Sequence, residues 1–259
     1  MTPLSAAIER VSLLGPGLAD WDAARQVLAG EAPYRPAPTV VPQPALLPPN
    51  ERRRCGQAVR IALAVGDDPP AGIATVFASS SADGDTCHAI CEQLAGDERL
   101  ISPTRFHNSV HNAPSGYWSI ATRNMSPSTS LCAYDGSFAA GLLEACATLR
   151  ASGRPVLLIA YDAPYPEPLH AKRPLPDVFG LSLLLAPEAG TASLAQIDLS
   201  CAASAPDVLA DAGLEALRRA IPAARALPLL RLLALRRSGS VVVDYLEGFG
   251  LTARVRPCP

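Results

Sequence analysis

Lysine is almost missing from this 259-residue chain: Lys172 is the only one among twenty-two basic residues, and the rest are arginine. Basic and acidic residues nearly balance, twenty-two against twenty-four, for a formal charge of −2, so the chain lacks the electrostatic footprint of a nucleic-acid binder. Aromatic residues amount to only 5% and methionine occurs twice, which leaves the core to aliphatic side chains. No run approaches the roughly 18 uncharged apolar residues of a membrane span, and the richest, Leu181 to Ala186, is far shorter. The opening stretch, Met1 to Gly15, carries Glu9 and Arg10 inside its apolar segment and so lacks the unbroken core of a signal peptide. A soluble cytoplasmic protein is the expectation. The seven cysteines are odd in number and have no framework spacing, which predicts reduced thiols acting mostly as small buried hydrophobes.

Familiar catalytic motifs are also missing. The sequence has no Gly-x-Ser-x-Gly elbow, no Gly-x-Gly-x-x-Gly and no Gly-x-x-x-x-Gly-Lys-[Ser/Thr]. Cys87 and Cys91 share a helix face, but His88 points elsewhere and no second ligand pair follows, so no metal is expected. His107 and His111 lie four apart in ground rich in Asn and Pro, which favours a hydrogen-bonding role. Nothing implies a cofactor.

What is present is 49% hydrophobic residues arranged in alternating short β-like and longer helix-like runs, enough for a substantial core. Strands are predicted at 8–14, 73–78 and 155–160, with a hairpin of 179–185 and 192–199 turning at Pro187 to Gly190. Two last strands are predicted at 240–246 and 251–256. Helices are expected at 18–28, from an Asn50 cap to Val65, from Gly84 through Leu94, from Gly136 to Leu149, and over 206–219 and 223–236. Residues 33–50 hold seven prolines and read as an extended loop. Alternation of this kind predicts an α/β layered fold around a mostly buried sheet.

One stretch carries more specific information. It contains Ser102-Pro103-Thr104-Arg105-Phe106, then Asn112-Ala113-Pro114-Ser115-Gly116, then Ser126-Pro127-Ser128 leading through Leu131-Cys132-Ala133-Tyr134-Asp135-Gly136-Ser137 into an Ala-rich helix ending in Glu144-Ala145. This resembles the β-ketoacyl synthases of the thiolase superfamily, which carry Ser-Pro, Asn-Met-x-Ala-Gly, Gly-Pro-Ser and a strand ending in Thr-Ala-Cys-x-Ser-Gly. The resemblance implies a layered α-β-α fold, with 1–259 as a single ketosynthase-like domain. Residues 1–200 would form the thiolase-like half and 201–259 a short completion of helices and strands.

Registering Ser126-Pro127-Ser128 and Glu144-Ala145 on the family pattern places Asp135 where those enzymes have their nucleophilic cysteine. A carboxylate cannot form the family's acyl thioester. The family's two catalytic histidines come from its second half, whereas this chain has no histidine after His170. The pattern is similar to truncated, chain-length-factor-like ketosynthase homologues of aryl polyene clusters, with Leu47 to Arg54 and Ser102 to Asn112 as further points of likeness.

That resemblance implies a non-catalytic subunit that heterodimerises with a full β-ketoacyl-acyl-carrier-protein synthase and meets the carrier only indirectly. It also implies an exposed strand edge around Ser128, Ser130, Cys132 and Tyr134. Arg105, Phe106, Ser109 and Ala113 would then be candidates for shaping the partner's acyl tunnel. On a regular strand Cys132 points away from Asp135, as a core thiol would. Asp135 is expected to cap the following helix. Two other readings remain: an acyl transferase or thioesterase using Cys132 or Ser137 with His107 or His111, and carrier docking by Arg52, Arg53 and Arg54.

Overall fold

A computed structural model describes residues 4–97 and 99–259, so the first three residues of the Met1–Gly15 segment lie outside it. In chain order the elements begin with β1 (Leu4–Leu14), α1 (Trp21–Ala29), α2 (Pro49–Arg52), α3 (Gln57–Val65), β2 (Ala74–Ala78) and α4 (Gly84–Ala95). Then come α5 (Pro103–Asn108), α6 (Ala113–Thr122), β3 (Ser128–Leu131), a 3-10 turn (Tyr134–Gly136), α7 (Ser137–Ser152), β4 (Val156–Asp162) and α8 (Leu169–Lys172). The chain closes with β5 (Phe179–Ala186), β6 (Ala195–Ala202), α9 (Ala212–Ala220), a second 3-10 turn (Pro222–Ala226), α10 (Leu227–Ala234), β7 (Gly239–Leu246) and β8 (Phe249–Pro257). Among the described residues no helix is long and apolar enough to cross a membrane.

All eight strands join one sheet in the order β3-β2-β4-β5-β1-β6-β8-β7, with β3, β2 and β4 parallel and every other pair antiparallel. Every residue of β4 and β5 is buried, as continuous apolar runs at the centre of a sheet covered on both faces require. The two-residue pleat divides those side chains between two cores. Val156, Leu158, Ala160, Phe179, Leu181 and Leu183 face α1, α7 and α10, whereas Leu157, Ile159, Tyr161 and Leu184 face α3 and α6. On the α3 side Phe77 packs edge-on against Trp118, with ring centroids 6.1 Å apart. Trp118 Nε1 donates to the Gly66 carbonyl at 2.7 Å. The result is the expected α-β-α layering.

Three predicted features differ, each for a physical reason. The predicted helix from Asn50 to Val65 is two helices. Asn50 lies inside the short α2, and Gly56 starts α3 in an extended conformation. A Cβ at Gly56 would lie 2.3 Å from a carboxylate oxygen of Asp83, so the chain breaks where it passes that aspartate. The 179–185 and 192–199 segments do not form a hairpin. β1 is inserted between them, pairing Leu13 with Leu181 on one side and Leu4 with Leu199 on the other. A strand buried on both faces needs neighbours on both edges, and β1 is long enough to serve both. The predicted helix at 206–219 starts only at Ala212. The Asp207 amide donates to the Val242 carbonyl and its carboxylate accepts from the Val242 amide, while Asp211 caps α9 by accepting from Leu214 N.

The thiols correct a fourth expectation. Cys55 and Cys146 are buried, but Cys87, Cys91, Cys132 and Cys201 are exposed. Cys87 and Cys91 belong to a helix with no buried residue, and Cys132 lies just past the end of an edge strand.

α7 organises the fold. Its buried residues, Ser137, Phe138, Ala139, Gly141, Leu142, Ala145, Cys146 and Leu149, form one broad face opposite the exposed Ala147, Arg150 and Ala151, and it touches β2, β4 and β1 as well as β7. A Cβ at Gly141 would lie 2.6 Å from that of Ala78, so the helix backbone rests directly on the side chains of the sheet there. At the N-terminal end β7 comes closer still: a Cβ on Gly136 would lie 2.0 Å from the Tyr245 carbonyl oxygen. Since that neighbour is backbone, Gly136→Ala should destabilise the protein by about 1–3 kcal/mol in denaturant unfolding. Gly116, on the exposed face of α6 with open space around it, provides the contrast. Gly116→Ala should be neutral or stabilising by about 0.5–1 kcal/mol.

Candidate functional site

The corner between β3 and α7 carries the residues singled out by motif. β3 is an edge strand, parallel to β2 with Thr75 opposite Ser128 and Ala78 opposite Leu131, and its other edge has no strand partner among the described residues. Ser128 and Thr129 are exposed, and Ser130 and Leu131 are half-buried. The chain then turns through Tyr134, whose φ of +50° is the left-handed conformation that a bulky residue rarely adopts. The residue is 62% exposed, and its ring lies under the Arg173 guanidinium, 3.7 Å from ring centroid to Cζ.

Asp135 follows in the 3-10 turn and does not cap α7, whose N-cap is Gly136 without a side-chain bond. Both of its carboxylate oxygens are committed to arginines that arrive from distant sequence. Oδ1 accepts from Arg173 Nη2 at 2.6 Å and Oδ2 from Arg225 Nη2 at 2.9 Å. The network continues from Arg225 Nη1 to Asp244 Oδ1 at 3.2 Å and from Asp244 to the buried Arg218, which grips Glu215 through Nε and Nη2 at 2.8 Å each. The expected cap is thus replaced by ion pairing, which wins because two guanidiniums with little solvent access need a counter-charge.

Deeper at the same end of the sheet, Asp162 is buried at the end of β4, and the structure adds it to the site. One oxygen accepts from Ser80 N at 2.8 Å and the other from Ala223 N at 2.7 Å, so it joins β2, β4 and the second 3-10 turn. Burial raises its pKa to about 6 against the lowering effect of those amides and of Arg173. Two clefts flank Asp135. One of 670 Å³ is walled by Tyr134, Tyr245, Leu246 and Phe249, and one of 560 Å³ by Lys172, Arg173 and Arg219.

The alternative nucleophiles are placed differently. Ser137 is buried, with its hydroxyl donating to the Tyr134 carbonyl at 2.7 Å and accepting from Ala133 N at 3.0 Å. It braces the turn. Cys132 is exposed and donates to the Ser80 carbonyl at 3.2 Å, so it is not a core thiol. Among the described residues no hydrogen bond joins either of them to His107 or His111, and no cluster of three or more metal-ligating side chains exists.

The other candidates scatter. Arg105 and Phe106 are exposed on α5, Ser109 is half-buried with its hydroxyl on the Phe106 carbonyl, and Ala113 is buried at the start of α6, off the surface of this chain. The three arginines, which fall at the C-terminal end of α2 rather than at a helix start, are engaged locally. Arg52 donates to the Ala45 and Leu47 carbonyls, Arg53 to Asn50 and Arg54 to Glu51, which pins the proline-rich loop. Asn108, between the two histidines, bridges the Tyr117 hydroxyl and the Arg54 carbonyl.

A layered α-β-α fold with a strand-to-helix corner at the end of its parallel strands defines a thiolase-like protein. Residues 21–227 match the model of the β-ketoacyl synthase N-terminal domain, and the chain belongs to that family. Solved structures with this fold include a ketosynthase (ApeO) in complex with its chain length factor (ApeC) from Xenorhabdus doucetiae. The likeness there has a TM-score of 0.71 and 23% identity, covering 96% of this chain and 99% of that one. The ishigamide ketosynthase/chain length factor matches with a TM-score of 0.70 and 13% identity over 98% of this chain and 100% of that one. A β-ketoacyl synthase from Burkholderia phymatum STM815 matches with a TM-score of 0.66 and 13% identity over the whole of both chains. No curated protein sequence matches.

Two predictions follow from the charges. Capping would make Asp135→Asn much milder than Asp135→Ala; pairing to two arginines makes both costly. Each should lose about 1–3 kcal/mol in denaturant unfolding. For Asp162 the folded pKa lies above the ordinary carboxyl value of 3.8, so the folded state binds the extra proton. Its stabilising contribution therefore declines as pH rises from about 4 to about 6 and is constant above that. The stability difference between wild type and Asp162→Asn should fall across that window in urea titrations; a flat difference would contradict the assignment.

Proposed function

We propose that this protein is a non-catalytic, chain-length-factor-like subunit that pairs with and stabilises a β-ketoacyl-acyl-carrier-protein synthase in aryl polyene biosynthesis. The observation that carries this reading is the β3–α7 corner. Where the family pattern has its nucleophilic cysteine, Asp135 has both oxygens engaged by arginines, and the strained residue beside it is a tyrosine. Neither group can form an acyl thioester. The unpaired edge of β3 supports a partner, because a free edge is a liability unless another chain covers it.

On this reading residues 1–259 act as one ketosynthase-like unit, with 201–259 completing the sheet begun by 1–200. Ser128, Ser130, Cys132 and Tyr134 lie along the contact, and Arg105, Phe106 and Ser109 reach the neighbour's acyl tunnel. Ala113 acts from beneath by setting the start of α6. The carrier protein engages the synthase rather than this chain.

The exposed Cys132 favours a second reading, an acyl transferase or thioesterase working through that thiol. Co-expression with the ketosynthase encoded beside this chain, followed by native mass spectrometry and incubation with an acyl-thioester mimic, separates the two. The proposed subunit gives a stable one-to-one or two-to-two complex and no acylated Cys132. An unpartnered chain that accepts the acyl group on Cys132 would overturn it.

A further inference from the structure

The ion-pair network at the corner is closed in charge. Arg173, Arg225 and Arg218 are shared among Asp135, Asp244 and Glu215, three guanidiniums for three carboxylates. Two further cations stand beside it and line the 560 Å³ cleft on one flank of Asp135. They are Lys172, at the end of α8 and the only lysine in the chain, and Arg219, in the last turn of α9. Among the described residues neither forms an ion pair. Arg219 helps to hold the Glu215 carboxyl below its usual range, but that carboxylate is bonded to Arg218 and does not line the cleft. Glu167 and Asp177, the acids nearest Lys172 in sequence, accept from the Ala171 amide and from the Thr39 and Val178 amides. Asp135 does line the cleft, with both oxygens already taken by arginines. A surplus of positive charge on Lys172 and Arg219 is left facing the cleft.

Neither cation is on a loose segment. Lys172 precedes Arg173, which is fixed by Asp135 and by the Tyr134 ring, and Arg219 follows the buried Arg218, which is fixed by Glu215 and Asp244. Each free cation therefore hangs from a backbone that the network has already set, so little order is lost on binding. Arg173, itself a lining residue, keeps its Nε buried and without an acceptor. The rest of the wall is apolar, from Pro174, Leu175, Ala216, Ala220 and Pro222. Like charges gathered on one cleft repel each other, and an anion between them removes that repulsion.

The geometry points to a binding site for a small phosphate monoester, its phosphoryl oxygens held by Lys172 and Arg219 and its apolar body laid on the proline and alanine wall. A phosphate monoester carries about −1.5 to −2 charge at pH 7, which matches the surplus, whereas a carboxylate brings half as much. The arginine fork suits phosphate oxygens and the lysine adds a point charge. A cleft of 560 Å³ is in the range of small-molecule sites. This site belongs to the single chain and does not depend on the heterodimer reading above.

Phenyl phosphate is the probe, titrated calorimetrically into the full chain, alone or as the co-purified complex, beside inorganic phosphate and benzoate. One equivalent should bind, about tenfold tighter than inorganic phosphate, which lacks the apolar body, and than benzoate, which lacks the second charge. Lys172→Ala and Arg219→Ala, both at exposed positions, should each weaken binding about tenfold, as for one charge-assisted hydrogen bond, and leave the melting temperature of the free protein unchanged. Arg237→Ala, at an exposed position outside the cleft, should have no effect. Because Lys172 is the only lysine, amine acylation followed by peptide mass spectrometry reads that one side chain. Phenyl phosphate at about ten times its dissociation constant should slow the acylation of Lys172 about tenfold.

No saturable binding of phenyl phosphate, or binding that both alanine variants leave intact, would overturn this inference. Equal affinity for phenyl phosphate, inorganic phosphate and benzoate would overturn it too, since that is the behaviour of solvated cations without a built site. Capture of an acidic carrier protein that is lost in both alanine variants, with no binding of phenyl phosphate, would replace the small molecule by a protein partner.

Discussion

A helix with a broad apolar face must have that face covered, and α7, which is open to solvent along Ala147, Arg150 and Ala151, imposes that constraint on the rest of the chain. The parallel strands β2 and β4 cover one side of it, which accounts for the first part of the architecture. The other side needs material from elsewhere, and β7 and the Pro222–Ala226 turn supply it. Leaving that side open would expose Phe138, Leu142 and Leu149, each worth about 1.5–3 kcal/mol of burial. Residues after 201 are therefore part of the core rather than an appendage: Leu251, Ala253 and Val255 of β8 and Leu229 and Leu230 of α10 lie in the same cluster as α7.

Bringing β7 so close to the start of α7 also gathers charge. The Tyr245 carbonyl sits against Gly136, so Asp244 arrives beside Asp135, and the two carboxylates would repel each other without cations between them. Arg225 stands between them and bonds both, with Arg173 and Arg218 completing the outer sides. Each arginine is mostly withdrawn from water, so removing any one carboxylate leaves a poorly solvated positive charge behind. The corner is thus held by long-range pairs that the geometry of α7 makes necessary. Tyr134 keeps its left-handed backbone because the residues on either side of it are fixed: Ser137 ties down its carbonyl and Arg173 its ring.

Legibility in the sequence followed the range of the interactions. Strands β2, β4 and β8, helix α7 and the layered class were readable because apolar runs and turn residues act within a few positions. The β1 insertion between β5 and β6 was not, since strand order depends on which edges need neighbours rather than on local pattern. The α2–α3 break arises from Gly56 passing Asp83, a contact across twenty-seven residues that no local rule captures. The strand-to-helix turn around Asp135 was legible from motif spacing, yet the bonding of Asp135 was not. A helix cap is a local device and was the natural reading for Asp135, while Arg173 and Arg225 lie thirty-eight and ninety residues away. Asp162 gave no local signal either, as its acceptors' partners are backbone amides from separate segments.

The same distinction bears on the chemistry left open to this corner. A nucleophile at a strand-to-helix corner must be approachable and free to change its bonding during the reaction, whereas the Asp135 carboxylate and the Ser137 hydroxyl of this turn are already committed. The two oxygens of Asp135 are held by guanidiniums, and the Ser137 hydroxyl is held by two backbone groups. What the turn presents outward is a tyrosine face and, just before it, an edge strand of small residues. Rigid polar commitments inside leave the outer surface of the turn pre-ordered, so that little entropy would be lost on covering it. Fixing the corner from within therefore trades side-chain freedom at the turn for a set backbone path, and the four ion-paired residues Asp135, Arg173, Arg225 and Asp244 are what hold that path in place.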